Sequence, residues 1–155
     1  MILSLDTNVL VDVMRGQKRH VRDRMDEALA SGANLVVSTI VAQELAMGAH
    51  LSARPEAQLE TLARALVELQ LEPWTWEDAV VTGRLRANRE KLGRRPSTYD
   101  TLIGGQALAR GWTLVTADVS DFSDIEGLSI IDWSDPSGPI DATDAVARLR
   151  RPSKD

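Results

Sequence analysis

The sequence predicts an α/β fold in which helices cover a mainly parallel sheet of four to five strands. Two observations predict this class: short apolar runs alternate with longer segments of helical period, and glycine or proline separates most of these segments. The length of 155 residues suits one domain with its own hydrophobic core. No apolar run approaches the roughly 20 residues that cross a membrane as a helix, so we expect no membrane association.

The first half of the chain predicts two units of strand followed by helix. Residues 2–5 form an apolar run that ends at Asp6, which is typical of a buried strand. One of the residues 6–8 is expected to cap the helix that follows, and Gly16 is expected to end it. The same reasoning predicts a helix over about 20–31, a strand over 35–38, a helix from a cap at Thr39 to about Leu51, and a helix over 56–69.

The second half alternates in the same way. Residues 71–74 are expected to be extended, and residues 75–78 are typical of a capped helix start. The remaining predicted elements are the helix from this cap to Leu92, a helix opened by Asp100 and ended by Gly111, a strand over 113–116, an acidic loop over 117–124 and a short strand within 128–133.

Composition divides the chain at about residue 133. Residues 1–133 hold the alternating pattern and form the predicted domain, whereas residues 134–155 are rich in Asp, Pro, Ser, Gly and Arg. We expect this second segment to be an appended tail that is partly disordered and contains a short helix at 141–150.

The charge of the chain is acidic overall but uneven. The net charge is −5 and the isoelectric point is near 5.1, which alone disfavours a nucleic-acid binder. However, residues 84–95 carry a net charge of +5 and residues 15–24 carry +4. Positive charge is therefore concentrated in two segments, and the acids lie elsewhere.

The absence of cysteine excludes several kinds of site and is informative about the cell compartment. It excludes a disulfide framework, a thiolate metal site and a cysteine nucleophile. The first residues lack the basic and apolar regions of a signal peptide. Both observations lead us to expect a cytoplasmic protein.

Four acidic residues fall near the predicted carboxyl edge of the sheet. Asp6 follows the first strand directly, and Asp118 follows the strand before the acidic loop. Glu44 lies one turn into the helix after the second strand, and Asp100 lies in the first turn of the helix before the strand of Asp118. Because ligands of open parallel sheets bind outside the carboxyl ends of the strands, we expect these four side chains to converge.

A cluster of carboxylates of this kind predicts a divalent cation. Neighbouring carboxylates raise one another's pKa, and a cation removes that repulsion. Oxygen ligands without histidine or cysteine favour Mg²⁺ or Mn²⁺ over zinc. These ions activate water toward a phosphodiester, so no protein nucleophile is required, and no nucleophile or nucleotide-binding motif is found in the sequence.

Each acid taken alone also has an ordinary explanation. Asp6 suits a helix cap, Glu44 a solvated helix face and Asp100 a helix N-terminus. Asp118 and Asp121 are common turn residues. The prediction therefore depends on the acids as a set.

Four segments resemble the sequences of PIN-domain ribonucleases, in the same order and at similar spacing. They are the run LDTNVL at 5–10, Glu44 following Ser38-Thr39, the run YDTLIGGQAL at 99–108 and the run LVTADVSDF at 114–122. The resemblance covers about residues 2–133. Within the family, the chain is most similar to the VapC type, the toxin half of bacterial toxin–antitoxin pairs.

This resemblance implies a PIN-like three-layer α/β/α sandwich and a metal-dependent endoribonuclease. It implies Mg²⁺ or Mn²⁺ as cofactor, hydrolysis of RNA by metal-activated water, a homodimer, and inhibition by a cognate antitoxin protein. Glu44 would be catalytic, and Asp6, Asp100 and Asp118 both catalytic and metal-binding. Asp121 would be an outer metal ligand, and it remains the alternative to Asp118 as the fourth acid.

Several neighbours of the acids are expected to support them. Thr7, Asn8 and Thr116 carry hydroxyl or amide groups that can orient a carboxylate or a bound water. Gly104 and Gly105 stand where the family commonly has alanine, and they suit close helix packing.

Arginines of the basic segment 84–95 are expected to bind the substrate. We expect Arg89, Arg94 and Arg95 to contact the RNA backbone, because this segment leads directly to Asp100. The alternatives are a solvated helix face, intramolecular ion pairs or a dimer contact.

Three other functions remain open from the sequence, and they fit it to different degrees. A phosphatase of the haloacid-dehalogenase type also begins with a strand that ends in Asp, but it needs a second Asp where this chain has Asn8. A receiver domain needs paired acids early and a late lysine, so it fits less well. The non-enzymatic alternative is an α/β binding module whose acidic side chains only face the solvent.

Overall fold

The computed structural model describes residues 1–94 and 97–139, and within them five parallel strands form one sheet in the order β3-β2-β1-β4-β5. This agrees with the predicted mainly parallel sheet. The strands are β1 (Ile2–Leu5), β2 (Asn34–Ser38), β3 (Gln70–Glu72), β4 (Thr113–Val115) and β5 (Ser129–Ile131).

The chain crosses from β1 to β2 and β3 in one direction and returns to β4 and β5 in the other, so right-handed crossovers place α1 to α4 on one face of the sheet and α5 to α7 on the other, as in an α/β/α sandwich. The three-layer fold implied by the resemblance is therefore confirmed. The helices are α1 (Thr7–Arg15), α2 (Arg19–Ala30), α3 (Thr39–His50), α4 (Pro55–Leu66), α5 (Trp76–Lys91), α6 (Thr98–Arg110) and α7 (Val119–Phe122).

The inner strands are buried on both faces. Leu3 and Leu5 on β1, Val37 on β2 and Leu114 on β4 have no exposed surface. A parallel sheet between two helical layers requires apolar side chains on both faces of each strand. This explains why these strands appear in the sequence as continuous apolar runs.

The chain order in the sheet reverses between β1 and β4. From β1 the chain passes outward to β2 and β3, then returns to the other side of β1 as β4 and ends at β5. The backbone N–H of Asp6 donates to the carbonyl of Val115 at 3.0 Å, so the two strand ends lie side by side. Such a reversal leaves a crevice at the carboxyl edge where ligands bind.

Most predicted helix boundaries hold, and four need correction. Helix α4 ends at Leu66, not at 69, and α6 begins at Thr98 after a cap at Ser97, not at Asp100. Gly16 and Gly111 end α1 and α6 with φ of 64° each, the left-handed conformation that glycine adopts most readily. Ser38, not Thr39, caps α3, because its hydroxyl accepts the N–H of Ile40 at 3.1 Å. The acidic loop at 117–124 contains the short helix α7, which was not predicted.

Close packing at the two adjacent glycines is confirmed. A Cβ on Gly104 would lie 2.6 Å from Cδ1 of Ile125, and a Cβ on Gly105 would lie 2.3 Å from Oγ1 of Thr82. Each glycine thus lets a different neighbour approach α6: the segment after α7 packs on Gly104, and α5 packs on Gly105.

The first residues after the predicted domain boundary contact α2. The ring of His20 hydrogen-bonds to the carbonyl of Ser134 at 3.1 Å, and Arg24 donates to the carbonyl of Pro136. The boundary at 133 stays a prediction, and the helix predicted at 141–150 lies outside the described residues. Within the described part of the chain, no helix is long and apolar enough to cross a bilayer.

Candidate active site

Asp6 lies at the centre of the candidate site, at the start of α1 and beside the end of β4. It is 4% exposed. Its Oδ1 accepts the backbone N–H of Thr7 at 2.7 Å, and its Oδ2 accepts the hydroxyl of Thr116 at 2.8 Å. The cap predicted for α1 is therefore Asp6, and the same side chain occupies the crevice.

The environment of Asp6 disfavours its charge. Burial raises the pKa of Asp6 to about 6, against the opposing effect of the hydrogen bonds from Thr116 and Thr7. The negative charges of Asp100 and Glu44 raise it further. A divalent cation would reverse this balance by stabilising the ionised form.

Asn8 and Thr116 join the start of α1 to the loop after β4. The Asn8 amide nitrogen donates to Oδ2 of Asp118 at 2.8 Å and to Oγ1 of Thr116 at 3.3 Å, while its oxygen accepts the N–H of Ala117 at 3.2 Å. Oγ1 of Thr116 also accepts the N–H of Asp118 at 3.0 Å. These two side chains therefore bring Asp6 and Asp118 together.

Asp100 enters the site from the first turn of α6. It is half-buried, and its backbone N–H donates to Oγ of Ser97 at 3.4 Å. Burial raises its pKa, the hydroxyl of Ser97 lowers it, and the charges of Asp121, Glu44 and Asp118 raise it again. Asp100 therefore lies within electrostatic range of the other four acids that the sequence singled out, Asp6, Glu44, Asp118 and Asp121.

A contact that the sequence did not predict joins the two helices that carry Glu44 and Asp100. The hydroxyl of Tyr99 donates to Oε1 of Gln43 at 2.7 Å. Each of these residues directly precedes one of the two acids. This adjacency was the only sequence signal for the contact, because nothing local shows that α3 and α6 meet.

The donor set suits a hard cation that keeps some of its water. No three acidic or histidine side chains among residues 1–94 and 97–139 are close enough to enclose an ion alone. Mg²⁺ is commonly held by one or two carboxylates plus water, which fits separated acids. The buried hydroxyl of Thr7 has no hydrogen-bond partner within the described residues, so a polar group in the crevice would satisfy it.

The structure contradicts the prediction that Arg89 contacts RNA. Its side chain is 3% exposed and forms an ion pair with Asp124. It also donates to the hydroxyl of Thr101 at 3.0 Å and to the carbonyl of Asp121 at 3.1 Å. A guanidinium that is buried and fully engaged in this way cannot reach a phosphate backbone.

The other two arginines remain candidates for the substrate. Arg94 is 55% exposed and also pairs with Asp124, at 2.9 Å. Burial works against the ionised form of Asp124, but the hydrogen bonds from Arg89 and Arg94 outweigh it and lower its pKa. Arg95 lies outside the described residues.

Comparisons with known proteins identify the family to which this fold belongs. The model of the PIN domain family matches residues 3–128. Over 129 residues the chain is 30% identical to the tRNA(fMet)-specific endonuclease VapC of Salmonella typhimurium, which spans 83% of this chain and 96% of that protein.

Two solved structures are similar throughout the domain. One is VapBC2 from Rickettsia felis bound to a DNA fragment from their promoter, with a TM-score of 0.80 and 28% identity over 86% of this chain and 99% of that one. The other is DNA-bound VapBC from Salmonella typhimurium, with a TM-score of 0.79 and 29% identity over 86% of this chain and 98% of that one. The chain therefore belongs to the PIN-domain family and, within it, to the VapC group.

Proposed function

We propose that this protein is a metal-dependent endoribonuclease that acts as the toxin of a toxin–antitoxin pair in the cytoplasm. The observation that carries the proposal is the set of five electrostatically coupled acids at the strand reversal of a PIN fold. The relatives named as an endonuclease and as ribonucleases support RNA as the substrate.

Asp6, Asp100 and Asp118 would hold Mg²⁺ or Mn²⁺, with Asp121 as an outer ligand. When bound, the ion supplies an activated water and stabilises the charge that develops on the phosphodiester. Thr116 keeps one oxygen of Asp6 in a fixed direction, and Asn8 does the same for Asp118. Glu44 adds negative charge beside Asp6 and Asp100, which favours a cation there.

The decisive test measures RNA cleavage against metal. We expect Mg²⁺ or Mn²⁺ to support cleavage and excess EDTA to abolish it. Asp6→Asn should reduce the rate roughly 10²-fold or more, because it removes a ligand and its charge. Asp26→Asn, on the exposed surface of α2, is the matched control and should cleave normally. Cleavage in EDTA, or an active Asp6→Asn variant, would refute the metal mechanism.

Arg94 and Arg95 are proposed to position the RNA backbone. Most of the molecule is acidic, and these residues end the segment with the largest positive charge. The exposed side chain of Arg94 is shared between Asp124 and solvent, so a phosphate can compete for it. Replacing both arginines by alanine should lower the salt dependence of single-stranded RNA binding by about 0.7 in slope per lost contact.

The control for this variant is Arg64→Ala on the exposed surface of α4, which should leave the slope unchanged. If the double variant keeps its salt dependence but loses stability or dimerisation, the two arginines serve an ion pair or a dimer contact instead.

A cognate antitoxin and a homodimer are also proposed. The similar solved structures are complexes of VapB with VapC, which supports a protein partner for this chain. An arginine or lysine of such a partner could neutralise the acidic crevice in place of a metal ion. Expression of the chain alone should arrest growth, and co-expression of the neighbouring small reading frame should relieve the arrest. A chain that proves harmless would contradict the toxin role and leave the nuclease role standing.

A further inference from the structure

We propose that Arg89 is a positioning residue of the carboxylate site, which fixes the spacing between Asp100 on α6 and the segment 118–124 that carries Asp118 and Asp121. This inference rests on the proposed function for its activity readout. It concerns a residue that touches none of the acidic side chains proposed to bind metal.

The guanidinium of Arg89 contacts both halves of the site at once. Nη1 donates to the hydroxyl of Thr101, the residue after Asp100, at 3.0 Å. Nη2 donates to the backbone carbonyl of Asp121 at 3.1 Å. A single planar group therefore links the neighbour of one candidate ligand to the backbone of another.

Asp124 holds that planar group in place. Nε of Arg89 donates to Oδ2 of Asp124 at 3.1 Å, and Nη2 donates to Oδ1 of the same carboxylate. This two-bond geometry sets the plane of the guanidinium, and lysine cannot reproduce it. The pair is also nearly neutral as a unit, so Arg89 acts on the site through geometry more than through its charge.

The segment that Arg89 holds has little structure of its own. Helix α7 has only four residues, fewer than an isolated helix needs for stability. Phe122 and Ile125 pack against Gly104, which anchors the apolar side of the segment. On the polar side, Arg89 on α5 donates to its backbone at the carbonyl of Asp121, so loss of Arg89 should let Asp121 shift relative to Asp100, while Asn8 and Thr116 still hold Asp118.

The contact on the α6 side is equally constrained. Thr101 is buried, and its hydroxyl donates to the carbonyl of Ser97 at 3.0 Å while accepting from Arg89. Ser97 in turn caps the N-terminus of α6 through the N–H of Asp100. The first turn of α6, and with it the backbone of Asp100, is therefore tied to the same guanidinium.

The test is Mn²⁺ binding to the metal-free full-length chain, measured by titration calorimetry well below the melting temperature. Arg89→Lys should bind Mn²⁺ about 10-fold to 100-fold more weakly, the usual effect of removing an outer support of a metal ligand. In cleavage assays its kcat should fall and should recover partly at high Mn²⁺, while KM for RNA stays near the original value. Arg64→Lys on α4 is the matched control and should change neither quantity.

A second variant covers the case in which Arg89→Lys does not fold. Asp124→Asn keeps Arg89 and the shape of its partner but loses the charge and one acceptor, so it should weaken Mn²⁺ binding in the same direction. A folded Arg89→Lys or Asp124→Asn variant that binds Mn²⁺ normally, with only a lower melting temperature, would overturn the inference. If instead the unaltered chain binds Mn²⁺ and Arg89→Lys weakens that binding, but no RNA is cut, the proposed function fails and the positioning role stands.

Discussion

The hydroxyl of Thr116 donates a hydrogen bond of 2.8 Å to the carboxylate of Asp6, although 110 positions separate the two residues in sequence. The same oxygen accepts the N–H of Asp118 at 3.0 Å. One side chain thus connects two proposed metal ligands. Burial raises the pKa of Asp6, and the hydrogen bond from Thr116 acts against this increase.

Removal of this hydroxyl should weaken the site without removing any acid. Thr116→Val keeps the side-chain shape but leaves Asp6 with one donor fewer, so we expect metal affinity or cleavage to fall about 10-fold to 100-fold. The pKa of Asp6 should rise further. Thr116→Ser keeps the hydroxyl and should retain most of the activity. An active Thr116→Val variant together with an impaired Thr116→Ser variant would mean that packing of the methyl group matters, and the hydrogen bond does not.

The metal-free protein should lose stability as the pH rises through about 6. The pKa of Asp6 lies near 6 in the folded state and near 3.8 when unperturbed, so the folded state binds the proton more tightly. Below about pH 4, Asp6 therefore contributes fully to the free energy of unfolding. This contribution falls by up to about 3 kcal/mol as the pH rises and Asp6 ionises in the folded state. Urea unfolding in EDTA between pH 4 and 7.5 measures it.

Two comparisons identify Asp6 as the source of that slope. Asp6→Asn cannot ionise, so its free energy of unfolding should vary less over the same range of pH. Saturating Mn²⁺ should oppose the loss in the unaltered chain, because the ion binds the ionised carboxylate. The same pH slope in both chains would show that another group is responsible.

Asp100→Asn should leave the metal-free protein at least as stable at pH 7. Burial and three neighbouring negative charges disfavour the ionised side chain, so a neutral amide relieves both effects. The increase in melting temperature on adding Mn²⁺ should be smaller in this variant. Glu77→Gln is the control: this acid also lies in a helical first turn, at α5, where backbone hydrogen bonding lowers its pKa, so the neutral variant should be less stable.

Thermal melts with and without Mn²⁺ measure both variants. A clearly lower melting temperature for metal-free Asp100→Asn would mean that this acid mainly stabilises the start of α6.

The two helical glycines at positions 83 and 105 should respond to alanine in opposite ways. A Cβ on Gly105 would lie 2.3 Å from Oγ1 and 3.1 Å from Cα of Thr82, so Gly105→Ala should force α5 and α6 apart and destabilise the protein by about 1–3 kcal/mol. Gly83 has no atom within 4 Å of its added Cβ, so Gly83→Ala should stabilise α5 by about 0.5–1 kcal/mol. Denaturant melts of both variants check this, and a neutral Gly105→Ala would show that the interface is loose.

The parts of the fold that follow from local patterns were predictable. Strands buried on both faces appear as apolar runs, and the acids at their ends mark the carboxyl edge of a parallel sheet. Asp6 and Asp118 could be assigned to one site in this way. Gly16 and Gly111 were recognised as helix ends because few other residues adopt positive φ.

The rest depends on contacts between distant segments. Arg89 and Arg94 are five positions apart in one basic segment, but only the packing of α5 against α6 and α7 buries the first and leaves the second half-exposed. The bond between Tyr99 and Gln43 likewise requires that α3 and α6 meet. The distribution of charge and the hydrophobic period along the sequence do not show which distant segments pack together.

The strand order also determines when the site is completed during protein synthesis. Asp6 is made more than 100 residues before β4, which pairs with β1 and precedes Thr116 and Asp118. A nascent chain that lacks β4 lacks half of the proposed metal ligands and a neighbour of its central strand. The proposed nuclease site is therefore incomplete until β4 and the loop after it have been made, so the nascent chain cannot cut RNA before that point.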